Sequence, residues 1–122
     1  MNIIIDPVQV EQLKNKYTVL ELDTIRLMPE DKLITAYSVI ENIPLNELAL
    51  IDSKRNLHEN LILNYRKKDW NYCTQAIEHL IGSWSGEVDT FYDDLRNRIA
   101  KYIEQDPGEN WDGIIEKRTI SQ

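Results

Sequence analysis

The sequence predicts an α+β fold: a small antiparallel β-α-β-β sheet unit, then an antiparallel helical hairpin and a third helix. Three observations carry that expectation. Residues 1–41 hold β-branched runs in which polar and apolar positions alternate. From Pro44 onward the apolar residues recur at the helical period instead. The connections between the later helices are short, which makes consecutive helices antiparallel neighbours. At 122 residues the chain is expected to form a single domain, 1–122, with a sheet subregion over 1–43 and a helical subregion over 44–122.

Asn2 to Ile5 reads as a first strand. Asp6 and Pro7 then look like an N-cap and first helical residue, with Val8, Val10 and Leu13 as the buried side of the helix. Tyr17 to Leu27 is the second strand. Leu20 and Leu22 alternate with Glu21 and Asp23, but Ile25 and Leu27 fall on the parity of the acids. A bulge, or cover on both faces near the strand's end, accounts for that shift. Met28 to Lys32 makes a hairpin connection, and Leu33 to Ile40 returns.

PLNELALID is a short helical turn, and Asp52 or Ser53 is expected to cap a helix carrying Leu57, Leu61 and Tyr65. Asp69 caps the next, whose Cys73, Ala76, Ile77, Leu80 and Ile81 share a face before Gly82 ends it. A last helix runs from about Glu87 to Ile103, with Val88, Phe91, Tyr92, Leu95, Ile99, Tyr102 and Ile103 as its stripe. DPGENWDGIIEK follows as a turn and an extended tail ending in a polar C-terminus. Trp70, with small Cys73 three residues later and Leu80 seven beyond it, resembles the close helix crossing of tetratricopeptide repeats, about one and a half of them. So few repeats need support, here expected from the sheet.

The balance of 14 basic against 21 acidic residues, a formal charge of −7, repels nucleic acid and anionic membranes. No apolar run is long enough to span a bilayer, and the start lacks a basic segment of the kind that opens a secretion signal. The single Cys73 rules out an internal disulfide and fits a reducing cytoplasm.

The N-terminal half resembles the closing segment of the class III adenylate and guanylate cyclase domain. NIII, VEQLKNKY, LELDTIRL and ITAYSVIE stand where that family has a strand, a helix, an "LD…I/V-R-V" strand and a strand ending in "YE". YRKKDW, DTFYDDLRNRIAKY and NWDG are similar, in order, to the helical tail that many bacterial cyclases carry after it. The resemblance implies a structural role for Asp23 and packing of Trp111 onto the helices. It departs at the turn, where the family's "KGK" is MPEDK and only Lys32 matches. The family's metal-binding aspartates, base-recognising residues and transition-state asparagine and arginine lie upstream of this segment, so the likeness implies a tail without its catalytic body.

Candidate chemistry in the residues themselves is sparse. His58 and His79 have no metal-ligand spacing and are expected at surface or cap positions. Cys73 reads as a small packing residue. Glu87, Asp89, Asp93 and Asp94 crowd a helix start, where the dipole favours anions. No catalytic residue, cofactor site or metal site is assigned, and the chain is not expected to be an enzyme. The expected function is a non-catalytic protein-interaction or adaptor module, binding a protein partner through Trp70, Trp84, Tyr92 and Trp111. Self-pairing of an open sheet edge predicts a homodimer. The alternative is a small-ligand or nucleotide-sensing domain that has lost catalysis.

Overall fold

The β-branched runs form strands and the periodic segments form helices, in the order the pattern requires. In the computed structural model, which describes residues 1–118, β1 spans Asn2–Ile4, α1 Pro7–Lys14, β2 Thr18–Met28 and β3 Lys32–Ile40. A 3₁₀ turn, Leu45–Leu50, leads into α2 (Ile51–Arg66), then α3 (Trp70–Leu80), a short 3₁₀ turn at Trp84–Gly86, and α4 (Asp89–Glu104). Asp6 caps α1 by accepting from the Val8 amide at 3.0 Å, with Pro7 behind it. Asp69 caps α3 from the Tyr72 amide at 3.1 Å.

The sheet is mixed rather than antiparallel. The segment Ile115–Arg118 forms a fourth strand, β4, which lies parallel to β2 and gives the order β1-β3-β2-β4. The sequence shows only a short extended tail there because the pairing partner is about ninety residues upstream in β2, beyond the reach of local pattern. The end of that tail, residues 119–122, lies outside the described residues.

α1 lies on one face of the sheet and α2, α3 and α4 on the other. The main core joins Leu20, Leu22 and Ile40 from the sheet to Leu61, Ile62 and Tyr65 of α2, Cys73, Ala76, Ile77 and Leu80 of α3, and Phe91, Tyr92, Leu95 and Ile99 of α4. Val10 of α1 and Val39 of β3 are buried apart from it. The three-residue link between α2 and α3 turns the chain back, so that Tyr65 meets Trp70 and Leu61 meets Cys73.

Three local expectations fail. Val8 points to solvent at 66% exposure and leaves Val10 as the buried residue of α1, because one short helix offers the sheet a single turn of contact. Neither Asp52 nor Ser53 caps α2; the helix starts at Ile51, continuing the preceding 3₁₀ turn with no side-chain cap. Ile103, at 62% exposure, faces outward from the last turn of α4, where Tyr102 takes the contact with the core instead.

Candidate functional site

The site begins with an extra residue in β2. β2 pairs Glu21 with Tyr37 and Thr24 with Thr35, so Leu22 and Asp23 together oppose Ala36. This is a β-bulge, and it resolves the broken parity of the strand. Before it, Leu20 and Leu22 face the helical layer; after it, Asp23 and Ile25 do. A bulge re-aims side chains, and here it turns a carboxylate in an apolar strand toward α4.

Arg98 of α4 receives it. The guanidinium donates to both oxygens of Asp23, at 3.0 and 2.9 Å, the fork-to-fork geometry that makes arginine–carboxylate pairs directional. It also donates to Asp94 Oδ2 at 2.7 Å and lies 5.9 Å above the Tyr65 ring. Burial opposes its charge, but the hydrogen bonds and charge of Asp23, with help from Tyr65 and Asp94, outweigh this and raise its pKa.

Beside this pair an open cleft of about 560 Å³ runs between the sheet and α4. Leu22, Ile25, Ala36 and Phe91 supply an apolar floor, Met1 and Ile3 the outer wall, and Thr90, Asp93, Asp94 and Asn97 a polar rim on α4. Both Met1 and Ile3 remain about half exposed, at 48%. An apolar concavity with a few convergent polar groups is the usual form of a ligand or peptide site.

His58 is a correction: it is fully buried, not at the surface or a cap. Its Nε2 lies 2.6 Å from the Glu21 carbonyl oxygen, which can only accept, so Nε2 carries the proton. Nδ1 is then the acceptor for the Tyr92 hydroxyl at 2.9 Å, and that hydroxyl in turn accepts from Trp84 Nε1 at 3.2 Å. The side-chain polar atoms of His58, Tyr92 and Trp84 are all satisfied with the imidazole neutral. Desolvation lowers the His58 pKa to about 4, only partly opposed by the Glu21 carbonyl. His79 is exposed, as expected.

The same network removes Trp84 and Tyr92 from any interaction surface, since both are buried in the core at 1% and 0% exposure. Their polar tips bind inward, Trp84 to Tyr92 and Tyr92 to His58, rather than outward to a partner. Trp70 and Trp111 are partly buried in an aromatic cluster with Tyr65 and Tyr102, with ring centroids 5.2 to 6.5 Å apart. Trp111 packs back on the helices, as the sequence predicts. Cys73 is fully buried and its thiol is pushed up to about 12, by burial first and then by Asp69, as befits a packing residue. Of the acidic group, Asp89 accepts from the Gly82 amide at 2.8 Å, Asp93 pairs with Arg96, and Asp94 with Arg98.

The chain matches no protein-family model, no curated protein and no solved structure. Among the described residues no group of three or more His, Cys, Asp or Glu is placed to hold a metal ion, and no helix is long and apolar enough to cross a membrane.

The cleft residues Met1, Ile3, Ile25 and Ala36 escaped the sequence reading. One signal was available: Asp23 sits amid apolar strand positions, and a carboxylate there requires a buried cation. Arg98, four residues after Asp94 on a helix, was the candidate.

Proposed function

We propose that the chain is a non-catalytic protein-interaction module that binds its partner at the cleft between the sheet and α4. The observation that carries this is the coincidence of an open apolar floor with exposed apolar residues, Met1 and Ile3, at its mouth. Exposed apolar surface around a concavity is the mark of a contact site, because water is released from it on binding. The groups with displaced pKa values near the core, His58, Tyr92 and Cys73, have their polar atoms engaged within the fold, away from the cleft.

The proposal extends to the likeness with the cyclase C-terminal tail, including its tetratricopeptide-like hairpin. Supporting it are the order of strand, helix, two strands and helical tail, and the packing of Trp111 within NWDG. A cytoplasmic setting belongs to the same reading, supported by a buried, unpaired cysteine. A second reading, a small-ligand or nucleotide-sensing domain, draws on the cleft volume, which falls within the range of small-molecule sites.

The test is affinity enrichment from the lysate of the native host with two baits, the natural chain and Ile3→Lys. The expected result is one partner at comparable stoichiometry, depleted at least tenfold by the substitution while the thermal melt stays unchanged. Equal capture by the two baits would sink the cleft as the contact, and absence of a partner from both would turn attention to small ligands.

A further inference from the structure

The sheet ends in an edge that β1 covers only in part. β1 pairs with Tyr37, Ser38 and Val39 of β3, whereas β3 runs on to Lys32. Among the described residues the segment from Lys32 to Ala36 therefore has a strand on its β2 side alone. A strand edge presents unpaired N–H and C=O groups in the plane of the sheet, ready to pair with another extended chain. Five residues give that row a length of roughly 17 Å.

Exposed apolar residues collect at the same place: Met1, Ile3, Ile5 and Leu33. The edge also divides two concavities. The cleft against α4 reaches it at Ala36, and a second hollow of about 470 Å³ lies along it, lined by Ile5, Pro7, Leu33, Thr35 and Tyr37 with Asp6 and Lys32 at its margins. Successive side chains of a strand point to opposite faces. A strand laid along Lys32–Ala36 would send alternate residues toward these two spaces.

We infer that this edge takes an extended peptide of a partner protein by strand addition, with basic residues on the α4 side alternating with apolar residues on the other. Charge decides the pattern. Asp23, Asp93 and Asp94 line the α4 cleft and no lysine or arginine does. Asp93 and Asp94 each engage an arginine through one carboxylate oxygen, which leaves the second oxygen for an incoming cation. Lysine and arginine stems lie along apolar surface while their charged ends reach the rim, and the net charge of −7 favours a basic partner. Main-chain hydrogen bonds supply affinity in such complexes and the alternate pockets supply specificity.

A second copy of the chain fits this edge less well. Two copies of net charge −7 repel. A two-fold pairing of the whole free segment, centred on Ile34, would set Asp31 of one copy opposite Tyr37 of the other, the place that Ile4 of that other copy already holds.

This inference rests on the protein-interaction reading, and its test separates the two. A random twelve-residue peptide library is selected against the chain, and the enriched peptides are titrated into ¹⁵N-labelled protein. The expected peptides alternate apolar residues with Lys or Arg and shift amides of Met1–Ile5, Lys32–Ala36 and the α4 rim. N-methylation of alternate peptide amides, or Leu33→Lys in the protein, weakens binding at least tenfold, with the melt of the variant unchanged. Selected peptides that shift another surface, such as Leu45–Leu50, would overturn the edge assignment and leave the interaction reading standing. A concentration-dependent dimer whose shifts fall on this edge, or an unpatterned selection, would also overturn it.

Discussion

His58 shows what a single residue can demand of its surroundings. In sequence it stands next to Leu57 at the border of an apolar stripe, and nothing nearby announces a partner. Its partners are Tyr92, 34 positions downstream, and the backbone of Glu21, 37 upstream, so its burial was illegible locally. Burial without those partners would cost several kcal/mol; with them a neutral imidazole is held at both nitrogens. The pH dependence follows in sign. The unfolded chain binds a proton at His58 below about 6.5, whereas the folded chain resists it until about 4. The unfolded state therefore gains protons first as pH falls, and folding loses stability across that window. Stability is full above about pH 6.5 and falls by roughly 1.4 kcal/mol per pH unit, about 3 kcal/mol in all by pH 4. Urea midpoints at pH 7.5, 5.5 and 4.5 check this, with His58→Gln as the control that removes the histidine's share of the slope. An equal slope in both proteins would refute the assignment.

At the scale of elements, the helices were legible and the sheet only half so. Helical period and the caps Asp6 and Asp69 are local chemistry, and each stands in the structure where the residues place it. The bulge in β2 was visible as a break in parity, though which residue carried it was not. β4 was invisible as a strand because it forms only by leaning on β2, and its approach is set by Gly113. That glycine has φ +81°, and a Cβ there would lie 2.8 Å from Arg66 Cγ and 3.5 Å from Arg66 Cα. Arg66 has little freedom to move aside, since its guanidinium donates to Glu21 Oε2 at 2.7 Å and to Thr24 Oγ1 at 3.2 Å. Gly82 has a similar φ of +85° with nothing within 4 Å of its missing Cβ. The pair separates strain from collision. Gly82→Ala should cost about 1 kcal/mol, the left-handed penalty alone. Gly113→Ala should cost about 2–3 kcal/mol, because the collision with Arg66 is added to that penalty. It should also speed hydrogen exchange in Ile115–Arg118. Equal losses in the two variants, read from urea melts, would mean that the contact with Arg66 yields freely.

The whole molecule is tied together by contacts between residues far apart in sequence. The sequence divides cleanly at about residue 43 into a sheet rhythm and a helical rhythm, which by itself allows two loosely joined parts. Three long-range devices join them: the core that mixes Leu20, Leu22 and Ile40 with all three long helices, the Asp23–Arg98 pair, and the tail. The tail leaves α4, turns at Asp106 and Gly108 where Lys68 holds both, seats Trp111 among Tyr65, Trp70 and Tyr102, and only then reaches the sheet as β4. Trp111 therefore connects α2, α3 and α4 to the far edge of the sheet. Chemical unfolding should be one transition, coincident by tryptophan fluorescence and far-ultraviolet dichroism, since no part retains a core when another opens. Trp111→Ala removes a half-buried indole touching three rings, and a loss of about 2–3 kcal/mol is expected, somewhat below the range for fully buried aromatics. The transition should shift to lower urea yet stay single, because the three helices keep their own contacts with Leu20, Leu22 and Ile40. If the variant instead melts in two steps, with the sheet lost before the helices, then the tail rather than the shared core is what couples the halves.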